Sequence, residues 1–140
     1  MRQQIIDYIE EKMKDLTFSD GTKVFKFVAQ TFVPVEALQD FQMPCCFILT
    51  SRETRDYSGS RVICNFDVLL RVVVRSDRHL TAELNKVLDP VLKYFAEDKF
   101  IGGNSIFPVQ IVQIEPSEGW LSPIELADIT VRTFYSYACV

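Results

Sequence analysis

The stretch Val62-Ile63-Cys64-Asn65-Phe66-Asp67-Val68-Leu69-Leu70-Arg71-Val72-Val73-Val74 decides the fold. Every even position in it is apolar, while the odd positions include Asn65, Asp67 and Arg71. A period of two sends alternate side chains to opposite faces, so the stretch reads as a β-strand with one buried face. It is longer than the usual strand of ~5–6 residues. Ile63, Leu69 and Val73 make the odd face partly apolar as well. These three are expected to lie exposed in a lone subunit and to serve as a contact surface.

Downstream, Asp77 is placed to N-cap a helix that runs to about Glu97, with Leu80, Leu84, Val87, Leu88, Val91 and Phe95 on its apolar stripe. Pro90 is expected to kink it. Gly102-Gly103-Asn104 is a turn, followed by a strand from about Ile106 to Ile114, a connection over Glu115 to Ser122, and a last strand from about Ile124 to Tyr137. Upstream, residues 2 to 16 form an amphipathic helix on Ile5, Ile6, Ile9, Met13 and Leu16. A strand is expected from about Val24 to Val33, then a helical turn or loop over Glu36 to Met43. The short buried strand Cys45 to Leu49 follows Pro44. Ser51 to Arg61 is polar throughout and reads as an exposed, mobile hairpin loop whose Arg52, Glu53, Arg55 and Tyr57 meet a partner.

The order is therefore helix, three strands, helix, two strands, in a single domain over residues 1–140. Short connections between most strands imply an α+β fold with a mainly antiparallel sheet of about five strands and both helices on one face.

Composition limits the function. The 140 residues carry a net charge of −4, with basic residues interleaved with acids, so there is no clustered cationic surface to grip phosphates. Eleven Phe and five Tyr are an ample supply for cores and interfaces. The early acids of the N-terminal stretch do not fit a signal peptide, and no apolar run reaches the ~20 residues of a membrane span, so a cytosol-like compartment is expected.

Cys45, Cys46, Cys64 and Cys139 lack metal or redox spacing and read as buried free thiols. His79 is the sole histidine, beside a helix start, with no nucleophile or orienting carboxylate placed near it, and reads as a surface residue. No phosphate-binding glycine loop is present. The chain is accordingly read as a non-enzyme with no cofactor and no metal. From Ile101 to Val131 the only charges are Glu115, Glu118, Glu125 and Asp128, an acidic tract suited either to solubility or to a surface that must not hold DNA.

The run from Val109-Gln110-Ile111-Val112-Gln113-Ile114-Glu115-Pro116 through Ser117-Glu118-Gly119-Trp120-Leu121-Ser122-Pro123 to Ile124-Glu125-Leu126-Ala127-Asp128-Ile129-Thr130-Val131 resembles the C-terminal hairpin of tail terminator proteins of long-tailed bacteriophages. The order of elements along nearly the whole chain is similar too. The resemblance implies a virion protein, made in the host cytoplasm, that forms a ring, typically hexameric, at the neck. That ring caps the tail tube protein and meets the head-closure or connector protein. DNA passes through without specific binding, and neither cofactor, reaction nor membrane is involved. On this reading Arg52, Glu53, Arg55, Tyr57, Ile63, Leu69, Val73 and Trp120 belong to interfaces, and Glu115 and Glu118 face the lumen or the tube. Another neck ring component, either head-closure or sheath-capping, fits the same features. A small cytosolic ligand-binding or enzymatic α+β subunit is the alternative of a different class.

Overall fold

The computed structural model describes residues 1–117 and 122–138. Its elements are α1 (Arg2–Asp15), β1 (Phe27–Ala29), β2 (Cys45–Ser58), β3 (Arg61–Arg75), α2 (Leu80–Glu97), β4 (Gln110–Pro116) and β5 (Ile124–Ala138). The α+β class and the expected order of helices and strands are as read from the sequence. The five strands form one sheet in the order β1-β2-β3-β5-β4. All neighbours are antiparallel except β1 and β2, which run parallel.

The even residues of β3 point to the main core, where Cys64, Phe66, Val68, Leu70 and Val72 meet Ala127, Ile129 and Val131 of β5. Ile5, Ile9 and Met13 of α1 and Leu84, Val87 and Val91 of α2 close over the same face. Both helices thus share one side of the sheet, because each has a single apolar stripe to bury and the alternation offers it one apolar face. Pro90 lies inside α2 without ending it.

Four local expectations are corrected. The strand expected over Val24–Val33 shrinks to Phe27–Ala29. Val24 and Phe25, neighbours in sequence, are both buried in the helix-side core, which the two-residue alternation of a strand forbids. The segment Ser51–Arg61 is not a mobile loop. It is the outer half of β2, paired residue by residue to β3 from Glu53–Phe66 to Ser58–Arg61, and only Gly59 and Ser60 turn. Gly59 has φ 61°, the positive value that the first position of a II′ hairpin turn needs.

Asp77 does not cap α2. The Ser76 hydroxyl accepts hydrogen bonds from the Arg78 (3.4 Å) and His79 (3.0 Å) N–H groups there, and Asp77 pairs with Arg75 at 3.7 Å. Val73 is not exposed. With Cys45, Phe47, Met43 and Leu38 it forms a second, smaller core on the face away from the helices. The segment between β1 and β2, with 3-10 turns at Val35–Ala37 and Asp40–Gln42, folds across that end of the sheet.

The end of α2 is tied to α1 by one carboxylate. Asp98 Oδ2 accepts hydrogen bonds from the hydroxyls of Tyr8 (2.8 Å) and Tyr94 (2.7 Å), and Oδ1 from the Gly102 N–H (3.0 Å).

Candidate assembly interface

The outer half of β2 carries four of the residues expected to meet a partner. Past a bulge between Thr50 and Glu53, the arm from Glu53 to Ser58 is bonded on one side only, because β1 pairs with β2 no further than Phe47. Its side chains are exposed apart from the half-buried Glu53. Two-residue turns are closed by a hydrogen-bonded pair, here Ser58 and Arg61. Ser58, Asp56 and Thr54 therefore direct their backbone groups to β3. Tyr57, Arg55 and Glu53 direct theirs outward, to the free edge.

The structure brings Glu53, Arg55 and Tyr57 together on the helix side of the arm. Glu53 accepts a hydrogen bond from the Tyr135 hydroxyl and pairs with Arg55 (2.8 Å) and Arg2 (3.4 Å). Arg55 also donates to the Tyr137 hydroxyl at 2.9 Å. Burial works against the Glu53 carboxylate, but bonds from Tyr135 and Arg55 and the charge of Arg2 bring its pKa below the usual range. Tyr57 leaves this cluster to solvent, 68% exposed. Arg52 and Asp56 are exposed and make no ion pair among the described residues.

Ile63 and Leu69 lie on the opposite face, so they do not join the arm cluster. That face is more polar than its apolar odd positions imply. Arg71 meets Asp128 through two hydrogen bonds of 2.8 and 2.9 Å, and Arg132 meets Asp67 through two of 2.9 and 3.2 Å. Leu69 sits opposite Thr130, in the row between these two ion pairs, and is half-buried. The pattern was present in the sequence. Asp67 and Arg71 are four apart on one strand, Asp128 and Arg132 are four apart on the other, and antiparallel pairing sets opposite charges face to face.

Glu115 is not in a turn. It is exposed within β4, opposite Asp128. Glu118, Trp120 and Cys139 lie outside the described residues. The outer edge of β4 is blunted. The Ser117 N–H donates to the Leu126 carbonyl at 2.8 Å, so alternation turns Ile114 and Pro116 outward, and proline has no N–H to offer. A register shift between Ile111 and Gln113 interrupts the edge further. Beneath it, Leu80, Leu84 and Leu88 of α2 and Ile114 and Pro116 of β4 line an apolar groove of about 570 Å³, with Glu125 at its wall. Periodicity alone did not reveal this groove, because it assigned the α2 stripe wholly to the core.

His79 is exposed at the start of α2. Cys45, Cys46 and Cys64 are free and buried, and burial pushes the Cys45 thiol up to about 12, where it is not a nucleophile near neutral pH. Among the described residues no cluster of His, Cys, Asp or Glu is arranged to hold a metal ion, and no helix is long and apolar enough to cross a membrane. No protein-family model matches the chain, and no curated protein matches it closely enough to count as a relative.

Proposed function

We propose that this chain is a structural subunit of a phage neck ring, a tail terminator that caps the tail tube and joins it to the head-side connector while DNA passes through. The observation that carries the reading is the arm of β2. Beyond a bulge between Thr50 and Glu53, the stretch from Glu53 to Ser58 is paired in regular register to β3, presents a free backbone edge, and exposes nearly every side chain. A free edge of that length is a template for pairing with another chain, which a protein acting alone usually blunts. The β4 edge of this same sheet differs in ending on Pro116, which has no N–H to offer a partner. The element order and the C-terminal hairpin add the resemblance to tail terminators, from which a sixfold ring follows.

In such a ring Arg52, Glu53, Arg55, Tyr57, Ile63 and Leu69 contact neighbours, and Glu115 lies toward the lumen or tube. An acidic lumen suits DNA that must slide, since each neutralised phosphate adds affinity. The test is electron microscopy of the purified protein alone and mixed with tail tubes. Rings of six subunits, seated on tube ends that no longer grow, are the expected result. Tubes that stay uncapped at saturating protein overturn the reading.

One observation favours a second reading. The apolar groove between α2 and β4 has the volume of a small-molecule site, and Glu125 offers a polar anchor. A subunit that remains monomeric and binds an apolar metabolite there is what this reading expects.

A further inference from the structure

The free edge of β2 carries the sequence Arg52-Glu53-Thr54-Arg55-Asp56, whose charges read as their own complement when the strand is reversed. We infer that this edge pairs with the same edge of a second copy, antiparallel and centred on Thr54, to make a twofold dimer whose two sheets join into one. In that register Arg52 faces Asp56 of the second copy and Glu53 faces its Arg55, and the twofold axis repeats both contacts. Four opposite-charge pairs result.

Backbone geometry allows the register from Glu53 to Ser58, which alternate regularly along β3, while Arg52 stands at the bulge between Thr50 and Glu53, at the end of the new ladder. Glu53 and Arg55 direct their N–H and C=O groups outward, so they form the hydrogen-bonded positions of the new ladder, while Thr54 faces Thr54 at a non-hydrogen-bonded position. Residues opposite one another across an antiparallel pair point to the same face, so each cation meets its anion on one side of the joined sheet. A shift of two places along the ladder, which recentres it on Arg55 or Glu53, puts like charges against each other. A shift of one place turns inward-facing backbone groups against outward-facing ones. One register alone satisfies all four charges.

The single subunit leaves the need for this partner visible. Arg52 and Asp56, exposed and four apart, have no ion-pair partner among the described residues and are the two that the dimer would join. Glu53 and Arg55 are already set in place by Tyr135, Tyr137 and Arg2, so the edge is ordered before it pairs. The pairing and the ring reading draw on the same free edge: a twofold contact matches a surface to itself, whereas ring contacts join two different surfaces, so a dimer formed here leaves a ring to be built from other contacts.

The test uses sedimentation of the full chain at low and moderate salt. The intact protein should associate to twice its 16.1 kDa, more weakly as salt rises. Arg52→Glu alone, or Asp56→Lys alone, sets like charges opposite each other at both ends of the ladder and should weaken the dimer about tenfold or more. The double variant Arg52→Glu with Asp56→Lys restores opposite charges in the same register and should recover the dimer. All these positions are exposed, so circular dichroism should be unchanged. Thr54→Cys should form a disulfide-linked dimer on mild oxidation, since non-hydrogen-bonded pairs bring Cα atoms to about 4.5 Å. A protein monomeric throughout, single reversals without effect, a double variant as weak as the singles, or a dimer that Thr54→Cys does not cross-link each overturns the pairing. Sixfold rings that form unaffected by either single reversal overturn the pairing and leave the ring reading standing.

Discussion

Gly102 has φ 64°, and a β-carbon built on it falls 2.6 Å from the ring and hydroxyl of Tyr8. Two costs therefore fall on Gly102→Ala, the left-handed backbone and the displaced tyrosine. Together they should lower stability by about 2–4 kcal/mol, measured by urea unfolding. The displaced Tyr8 is one of the donors to Asp98, so the same site predicts a pH effect. Burial alone raises the Asp98 pKa, but hydrogen bonds from Tyr94, the Gly102 N–H and Tyr8, with Lys12 nearby, bring it below the ordinary 3.8. A carboxyl depressed by folding adds stability that is complete above its unfolded pKa and lost as pH falls through the folded one. The melting temperature should therefore drop more from about pH 5 to about pH 3 in the intact protein than in Asp98→Asn. Equal drops in the two proteins would remove Asp98 from the acid response.

Within the sheet, the two ion pairs between β3 and β5 have the same chemistry and different burial. The Asp67 side chain is 6% exposed and that of Asp128 is 21% exposed. Removing the cation leaves Asp67 charged and almost without water, so Arg132→Ala should cost about 2–4 kcal/mol and Arg71→Ala about half as much. Thermal denaturation of the two variants ranks them, and the reverse order would show that burial does not set the cost. At this scale the long strand β3, both helices and the last strand were legible, because each buries one side against the other elements and so repeats at its own period. The arm of β2 was not. A strand exposed on both faces has no apolar alternation, and its charges read as a loop. The legible signal was Gly59-Ser60, a two-residue hairpin turn that forces the residues before it into register with β3. Val73 was misplaced for another reason. What covers it is the segment leading to Met43, thirty residues away in the chain, and no local pattern reports a contact of that range.

For the whole molecule, the partly apolar face beyond the second core is the place to test assembly. Leu69→Asp puts a carboxylate between two ion pairs on a half-buried site, and the subunit should stay folded while higher assemblies weaken about tenfold or more in sedimentation. Loss of the folded monomer would mean that this face belongs to the interior. The family reading itself was carried by element order and the C-terminal hairpin, part of which lies outside the described residues. β5, last of the described strands to be synthesised, sits between β3 and β4 and pairs with β3 along its whole length, from Arg61–Ala138 to Arg75–Ile124. Until it leaves the ribosome, β3 has an open side and β4 has no neighbour at all. Folding is thus held until β5 has emerged, and nascent chains on crowded polysomes pass through a stage that is sticky but unable to assemble. Cells making this protein should yield more soluble subunit when translation is slowed by cooling than when it is driven hard.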